Sequence, residues 1–417
     1  MRDGGRISAA AEILGEIEAR RRPANLVLQD WGKAHRFAGS GDRAWIAGLV
    51  LDVLRKRRSL AHRIGDDSVR AACLAALGYE WGWPVERIAE ACADAPHGPG
   101  PLGREEMERL LKPRDLSKAP PPVRGDYPDW LDQPLARVFG DKRAEELAAL
   151  TARAPVDLRV NTLKATPDEV MTALEAMNPQ AAGKLPTTLR IAAPAAELRV
   201  APVESHPAFA LGLFEVQDAG SQIAAAMAGD IAGKSVLDLC AGGGGKTLAL
   251  AAMMKNTGRL YAYDADPRRM RDIIPRATRA GVTNLTTLSP LDKDPLRPLT
   301  GQMDLVFVDA PCTGSGTWRR HPDTKWKLKA PQLERRMAEQ DSVLDQAATL
   351  VKPGGRIVYV TCSLFAEENE DRLEAFFARR PGFSWQGDVV RLTPLKDGTD
   401  GFFAAALLRS SSERSSR

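Results

Sequence analysis

Four consecutive glycines, Gly242 to Gly245, constrain this chain more than any other feature. They follow a short apolar run, Val236 to Leu239, and precede an Ala-rich apolar pattern from Leu248 to Met254. Ser-Val-Leu-Asp-Leu-Cys-Ala-Gly-Gly-Gly-Gly-Lys-Thr, Ser235 to Thr247, therefore predicts strand, tight turn and helix, the opening unit of an open α/β sheet. Glycine lets backbone amides approach a ligand closely, and the helix start adds partial positive charge there.

Spacing separates the ligands such a turn can serve. A phosphate-binding P-loop requires glycine at position 240, which is Cys240. The dinucleotide fingerprint requires a third glycine at 247, which is Thr247. The next apolar run, Leu260 to Tyr263, ends in Asp264, placed to accept hydrogen bonds from ribose hydroxyls. A glycine turn with an acidic residue after the second strand fits an adenosyl cofactor without a pyrophosphate, S-adenosylmethionine; a purely structural turn is the plainer alternative.

With 417 residues the chain predicts two or three domains. At 44% hydrophobic and 27% charged residues it has the balance of a soluble globular protein. No stretch reaches the roughly 18 uninterrupted apolar residues of a membrane span, and no signal-peptide core stands at the start. Five cysteines, at 73, 92, 240, 312 and 362, are widely spread and lack metal-ligand spacing. That argues against a disulfide framework or a metal site and for a reducing cytoplasm.

Residues 1–92 show helical apolar spacing (Ala9, Ile13, Ile17; Trp45, Leu49, Val53) and predict a small helical domain. Residues 1–63 hold 13 Lys and Arg against 7 Asp and Glu, led by Arg20-Arg-Arg22 and Arg55-Lys-Arg-Arg58. These clusters read either as a solvated helical face or as a contact surface for nucleic-acid phosphates. A Pro/Gly-rich linker, 93–126, surrounds a charged helix at Arg104 to Lys112. A small α+β subdomain is expected over 127–205, with helices at Asp141 to Ala152 and Pro167 to Met177 and strands at Asp157 to Val160 and Leu189 to Ile191. Over 206–409 strands alternate with helices: Val236–Leu239, Leu260–Tyr263, Leu285–Leu288, Leu305–Val308, Arg356–Val360 and Phe402–Leu408. That alternation predicts a doubly wound, mainly parallel sheet. The tail 410–417 has nothing to bury and is expected to be disordered.

Two of these strands end in cysteine: Val308-Asp-Ala-Pro-Cys312 and Tyr359-Val-Thr-Cys362. A lone cysteine is usually a small core hydrophobe. Two at neighbouring strand exits, beside a cofactor turn, point to chemistry. Methylating nitrogen or oxygen needs no thiol, whereas C5 of a pyrimidine is a poor nucleophile. A thiolate adding to C6 makes C5 enamine-like, and a base must then remove the C5 proton. Lys246 would favour the thiolate, and Asp309 could hydrogen-bond or protonate the ring at N3. His321 is the one histidine nearby, as loop structure or substrate contact. Residues alone do not rank the two thiols.

At this point the chain resembles the RsmB/NOP-type RNA cytosine-C5 methyltransferases, most of all their bacterial RsmB-like branch. The motifs carrying the resemblance are Cys-Ala-x-x-Gly-Gly-Lys-Thr at 240–247, Asp-Ala-Pro-Cys at 309–312, and Arg320-His-Pro-Asp-x-Lys-Trp326. Thr361-Cys-Ser363 with Glu367-Glu-Asn-Glu370, and Gly401-Phe-Phe, complete the set. It covers 128–408 well and the helical region faintly, where Asp42 to Arg55 is similar to a helix of NusB-like RNA-binding domains. The resemblance implies a Rossmann-like class I methyltransferase fold, Cys362 as nucleophile and Cys312 assisting adduct breakdown. It implies S-adenosylmethionine held by Cys240, Ala241, Gly242, Gly243, Gly244, Gly245, Lys246, Asp264, Arg269 and Asp309, with Lys246 and Asp309 also serving the reaction. The expected partner is RNA, ribosomal first and transfer RNA second, acted on by a monomer without metal or membrane. Cys312 remains the alternative nucleophile, as in the Pro-Cys pair of DNA cytosine methyltransferases. A catalytically reduced RNA-binding assembly factor is the rival outside enzymes; an amine methyltransferase would carry Asp/Asn-Pro-Pro-aromatic in place of Asp-Ala-Pro-Cys. Three positions depart from the family pattern: Gly242-Gly243 replaces Ala-Pro, Ser289-Pro290 stands where an aspartate is usual, and Ala366 replaces proline. The first predicts a floppier turn and weaker cofactor affinity.

Overall fold

The structure, a computed structural model, describes residues 1–195 and 201–411. The predicted tail lies almost wholly outside the described residues. Two compact units emerge: one holds Met1–Ala154 with Thr317–Leu328, the other Pro155–Ala192, Pro202–Gly316 and the chain from Lys329 onward.

The first unit is helical, with its longer helices at Asp3–Arg20, Ala24–Ala34 and Ser40–Arg55. Ile7, Ile13 and Leu14 from the first pack with Ile46, Leu49 and Val50 from the third. Most of the basic clusters are struts inside this unit. Arg22 pairs with Glu16 and Asp30, Lys56 with Glu80, Arg57 with Glu18, and Arg58 with Asp129. Arg55 is buried between Asp52 and the Arg319 carbonyl. Of the two readings of these clusters, the ion pairs show partly exposed helical faces whose arginines are held by neighbouring carboxylates.

Thr317–Leu328 explains one motif the sequence left without a role. Helix ends leave unpaired carbonyls and amides. Lys325 Nζ and Trp326 Nε1 donate to the Arg55 and Leu54 carbonyls at the end of Ser40–Arg55, each at 2.7 Å. Asp323 accepts the Ala24 amide at the start of Ala24–Ala34, 3.1 Å away. Cation at the carboxyl end and anion at the amino end match the helix dipoles. Burial brings Lys325 down to about 8.

The second unit holds two sheets. The smaller is antiparallel, β2-β3-β1-β4, from β1 (Val156–Val160), β2 (Gln180–Ala181), β3 (Thr188–Ile191) and β4 (Phe214–Val216). The larger comprises β5 (Ser235–Asp238), β6 (Arg259–Tyr263), β7 (Leu285–Leu288), β8 (Met303–Asp309), β9 (Val351–Thr361), β10 (Phe383–Leu392) and β11 (Phe402–Arg409). Its order is β10-β11-β9-β8-β5-β6-β7, with every strand running the same way except β11, which is antiparallel to both of its neighbours.

Both faces of the central strands are covered, which is why they read as unbroken apolar runs. Leu237, Val306, Val308 and Ile357 face one layer, and Val236, Leu305, Phe307 and Val358 the other. Strand β10 escaped the sequence reading because it is an edge: six consecutive residues are exposed and Gly387 interrupts the pattern. From β5 the chain runs outward through β6 and β7, then returns to β8 on the other side of β5. The glycine turn thus leaves the switch point, where open α/β sheets bind their ligands.

Candidate active site

At the end of β5 the chain enters a turn that glycine alone permits. Gly242 and Gly244 have φ of +51° and +83°. A Cβ on Gly244 would lie 2.7 Å from Ile273 Cγ1. The Ala241 amide donates to the Tyr263 carbonyl and the Gly242 amide to Asp264 Oδ2, at 2.9 and 3.0 Å. Asp264, nearly buried at the end of β6, also pairs with Arg269 at 3.1 Å. Arg276, fixed by Glu215 at 2.9 Å, donates to the Gly243 carbonyl. The two-glycine departure is therefore braced by Asp264 and Arg276, which lowers the ordering cost that glycine alone implies. Cys240 and Ala241 lie within this turn, where burial pushes the Cys240 thiol well up.

Below the turn sits Asp238, which sequence reading passed over as the last residue of an apolar strand. It is fully buried, accepts the Thr247 hydroxyl at 2.7 Å, and its Oδ1 has no partner among the described residues. Burial raises it to about 7. Lys246 reaches from the first turn of the helix Gly245–Met253 to Asp309 Oδ2, 2.7 Å away. Burial, the largest single influence, pulls the Lys246 ammonium down, but Asp309 together with smaller pushes from Cys362 and Asp238 leaves it raised.

Strands β8 and β9 run side by side with Asp309 opposite Val360, so the loops that follow them start together. Cys312 Sγ and Cys362 Sγ are 3.4 Å apart. The Gly316 amide donates to the Cys362 carbonyl at 2.9 Å, and its own carbonyl accepts the Gly401 amide at 2.8 Å. A Cβ on Gly316 would stand 2.1 Å from the Gly401 carbonyl oxygen, so the Gly401-Phe-Phe motif closes against this loop only because both residues are glycine. The hydrogen bond that Cys312 shares with Cys362 raises the Cys312 thiol most, followed by burial and the charges of Cys362 and Glu368. The surroundings of the two sulfurs differ: the Cys312 thiol is pushed up by its neighbours and by burial, while Cys362 is near enough to Lys246 to help raise the ammonium.

Lys246, Asp309, Cys312 and Cys362 form one group, and Gly242, Asp264 and Arg269 another. His321 belongs to the helical unit and contacts Thr317 and Thr324 of its own loop. Asp292 is exposed in a turn closed on Ser289. Glu368 also escaped the sequence reading; its only signal was the unexplained Glu367-Glu-Asn-Glu370 run. Among the described residues there is no cluster of three or more metal-ligating side chains, and no helix long and apolar enough to cross a membrane.

Residues 229–408 match the family model described as 16S rRNA methyltransferase RsmB/F, and 127–196 match the RsmF/B-like ferredoxin-like domain. The chain is 32% identical over 300 residues to "Probable ribosomal RNA small subunit methyltransferase B" of Synechocystis, covering 67% of this chain and 66% of that protein. It is 33% identical over 317 residues to ribosomal RNA small subunit methyltransferase B of Enterobacter, covering 73% and 71%. The crystal structure of PH0851 superposes with a TM-score of 0.72 at 27% identity, over 97% of this chain and 98% of that one.

Proposed function

The chain belongs to the RsmB/F family of 16S rRNA methyltransferases, and from that premise we propose that it methylates C5 of a cytidine in ribosomal RNA through a Cys362–C6 adduct. The residues at the switch point suit S-adenosylmethionine. Asp264 offers an acceptor for ribose hydroxyls, the glycine turn leaves room for a close approach, and Asp238 has a buried acceptor oxygen without a donor. The cofactor would be held by residues 240–246 with Asp264, Arg269 and Asp309. When bound, it supplies a methyl group activated on a sulfonium.

The observation that carries the C5 reading is the pair of sulfurs 3.4 Å apart at adjoining strand ends. Addition of the Cys362 thiolate forms a C–S bond at C6 and moves the C5=C6 electron pair to C5, where the methyl group is accepted. Cys312, as the thiolate left once its own proton has passed to water, takes the C5 proton, the double bond reforms, and Cys362 leaves with its electron pair. Asp309, fixed by Lys246, can accept a hydrogen bond from the exocyclic amino group beside N3 on the ring edge. A thiolate that Lys246 does not stabilise is the stronger base toward the proton on the methylated, activated carbon. The target base must be unpaired or turned out of its stack to enter the crevice.

The test is transfer of labelled methyl from S-adenosylmethionine to RNA from cells lacking this protein, followed by nucleoside analysis. Label in 5-methylcytidine of small-subunit ribosomal RNA is expected. Label in transfer RNA would move the substrate while keeping the chemistry. Label in another nucleoside would discard the thiol mechanism, and none despite bound cofactor would favour an assembly factor.

A further inference from the structure

We propose that Glu368 is a positioning residue, a buried clamp that ties the Cys312 loop to the Cys362 loop and fixes the separation of the two thiols. The consequence for catalysis rests on the thiol chemistry above; the clamp itself rests on geometry alone. Glu368 is fully buried in the short turn Ala366–Glu368 after β9. Its Oε1 accepts the Thr313 amide at 2.8 Å and Gln340 Nε2 at 3.0 Å. Its Oε2 accepts the hydroxyls of Thr313 and Ser363.

Thr313 follows Cys312 and Ser363 follows Cys362, so one carboxylate holds the residue after each thiol. Gln340 also donates to the Pro311 carbonyl at 2.9 Å, gripping the residue before Cys312. Asn369 does the same around Cys362: its Oδ1 accepts the Thr361 hydroxyl, and its Nδ2 donates to the Ser363 carbonyl at 3.0 Å. Glu368, Asn369 and Gln340 together bracket both cysteines.

Burying a carboxylate is expensive unless a cation or several donors compensate it. Here three donors from the two loops and one from Gln340 of the helix Ala330–Leu350 do so, and the carboxyl group is still raised by burial. An apolar residue would fill the space at less cost, but it would not join the loops. The joint matters because the thiols act on adjacent carbons of one ring, and a displacement of about 1 Å costs on the order of a hundredfold in such reactions.

Position and charge are separable. In Glu368→Gln, the amide oxygen can replace Oε1 toward its two N–H donors. The amide nitrogen can donate to the Thr313 and Ser363 hydroxyls, which rotate to accept. Glu368→Ala removes all four contacts.

The experiment uses the full chain without RNA. Diamide oxidises the neighbouring thiols: each sulfur loses a hydrogen, an S–S bond forms, and the azo N=N takes up both hydrogens. The rate of Cys312–Cys362 cross-linking is read by peptide mass. Wild type and Glu368→Gln are expected to cross-link alike, Glu368→Ala about tenfold slower, and the milder Thr313→Val about threefold slower, with S-adenosylmethionine affinity unchanged. In methyl transfer, Glu368→Ala should lose about a hundredfold in kcat at constant KM for the cofactor, and Glu368→Gln should restore it to within about threefold. Wild-type cross-linking by Glu368→Ala overturns the clamp; if that variant does not fold, wild-type cross-linking by Thr313→Val does so. A Glu368→Gln as slow as Glu368→Ala also overturns it, because charge would then be the agent. Cross-linking as predicted with no methyl transfer by wild type would leave the clamp standing and remove the proposed function.

Discussion

Cys312 and Cys362 leave neighbouring parallel strands at the same end of one sheet, yet their company is opposite. The Cys312 loop turns toward the Glu368 carboxylate through Thr313, and the thiol is pushed well up by Cys362, burial and that charge. Cys362 lies where its charge is felt by the Lys246 ammonium. Identical side chains in equivalent topological positions thus meet different surroundings. What distinguishes them is the side chains that each loop brings together, which is why strand order alone places both thiols without ranking them.

The strongest way to break this comparison is to remove one sulfur at a time. Cys362→Ala is expected to lower methyl transfer by at least about a thousandfold while cofactor binding, followed by calorimetry, is unchanged. Comparable losses in both properties would mean that the residue is structural. Cys312→Ala should cost about a hundredfold in turnover and leave a protein–RNA adduct that survives a denaturing gel. Reduced turnover without adduct would remove Cys312 from the release step.

Two smaller effects sharpen it. Asp264→Asn should raise the KM for S-adenosylmethionine about tenfold with little change in kcat, because its contacts lie at the glycine turn and not at the sulfurs. A matching fall in kcat would tie the two groups together. Cys362→Ala should also change Cys312 itself. The Cys362 hydrogen bond is the largest influence raising the Cys312 thiol, so its removal lowers that pKa and enlarges the thiolate fraction at pH 8. Alkylation of Cys312 by iodoacetamide at pH 8 should then be about threefold faster than in wild type, with the difference fading at high pH where both are ionised. An unchanged rate would show that burial alone sets Cys312.

Much of this was legible in the order of the residues. Buried strands announce themselves as apolar runs, and a turn needing positive φ announces itself as glycine, so β5 to β9 and the Gly242–Gly245 turn were readable. Edge strand β10 was not, because a strand exposed on most of its length carries no apolar signal. Lys246 and Asp309 were named separately, but their ion pair depends on the strand order β8-β5, which no local pattern encodes. Asp238 and Glu368 were missed for the same reason: a buried carboxylate looks like any other acid until its donors, supplied from Thr247, Thr313, Gln340 and Ser363, are brought to it. The partners of the basic clusters were equally illegible, since Glu16, Glu18, Asp30 and Glu80 are brought to those side chains only by the fold.

The most direct measurement is to identify the cysteine that joins the RNA. In RNA containing 5-fluorocytidine, the C5 substituent cannot leave as a proton does, so the adduct is trapped after methyl transfer. Digestion and peptide mass mapping then report which sulfur holds the nucleotide. The account predicts the nucleotide on the peptide containing Cys362, with Cys312 unmodified. Its appearance on Cys312 would contradict the assignment and exchange the roles of the two loops.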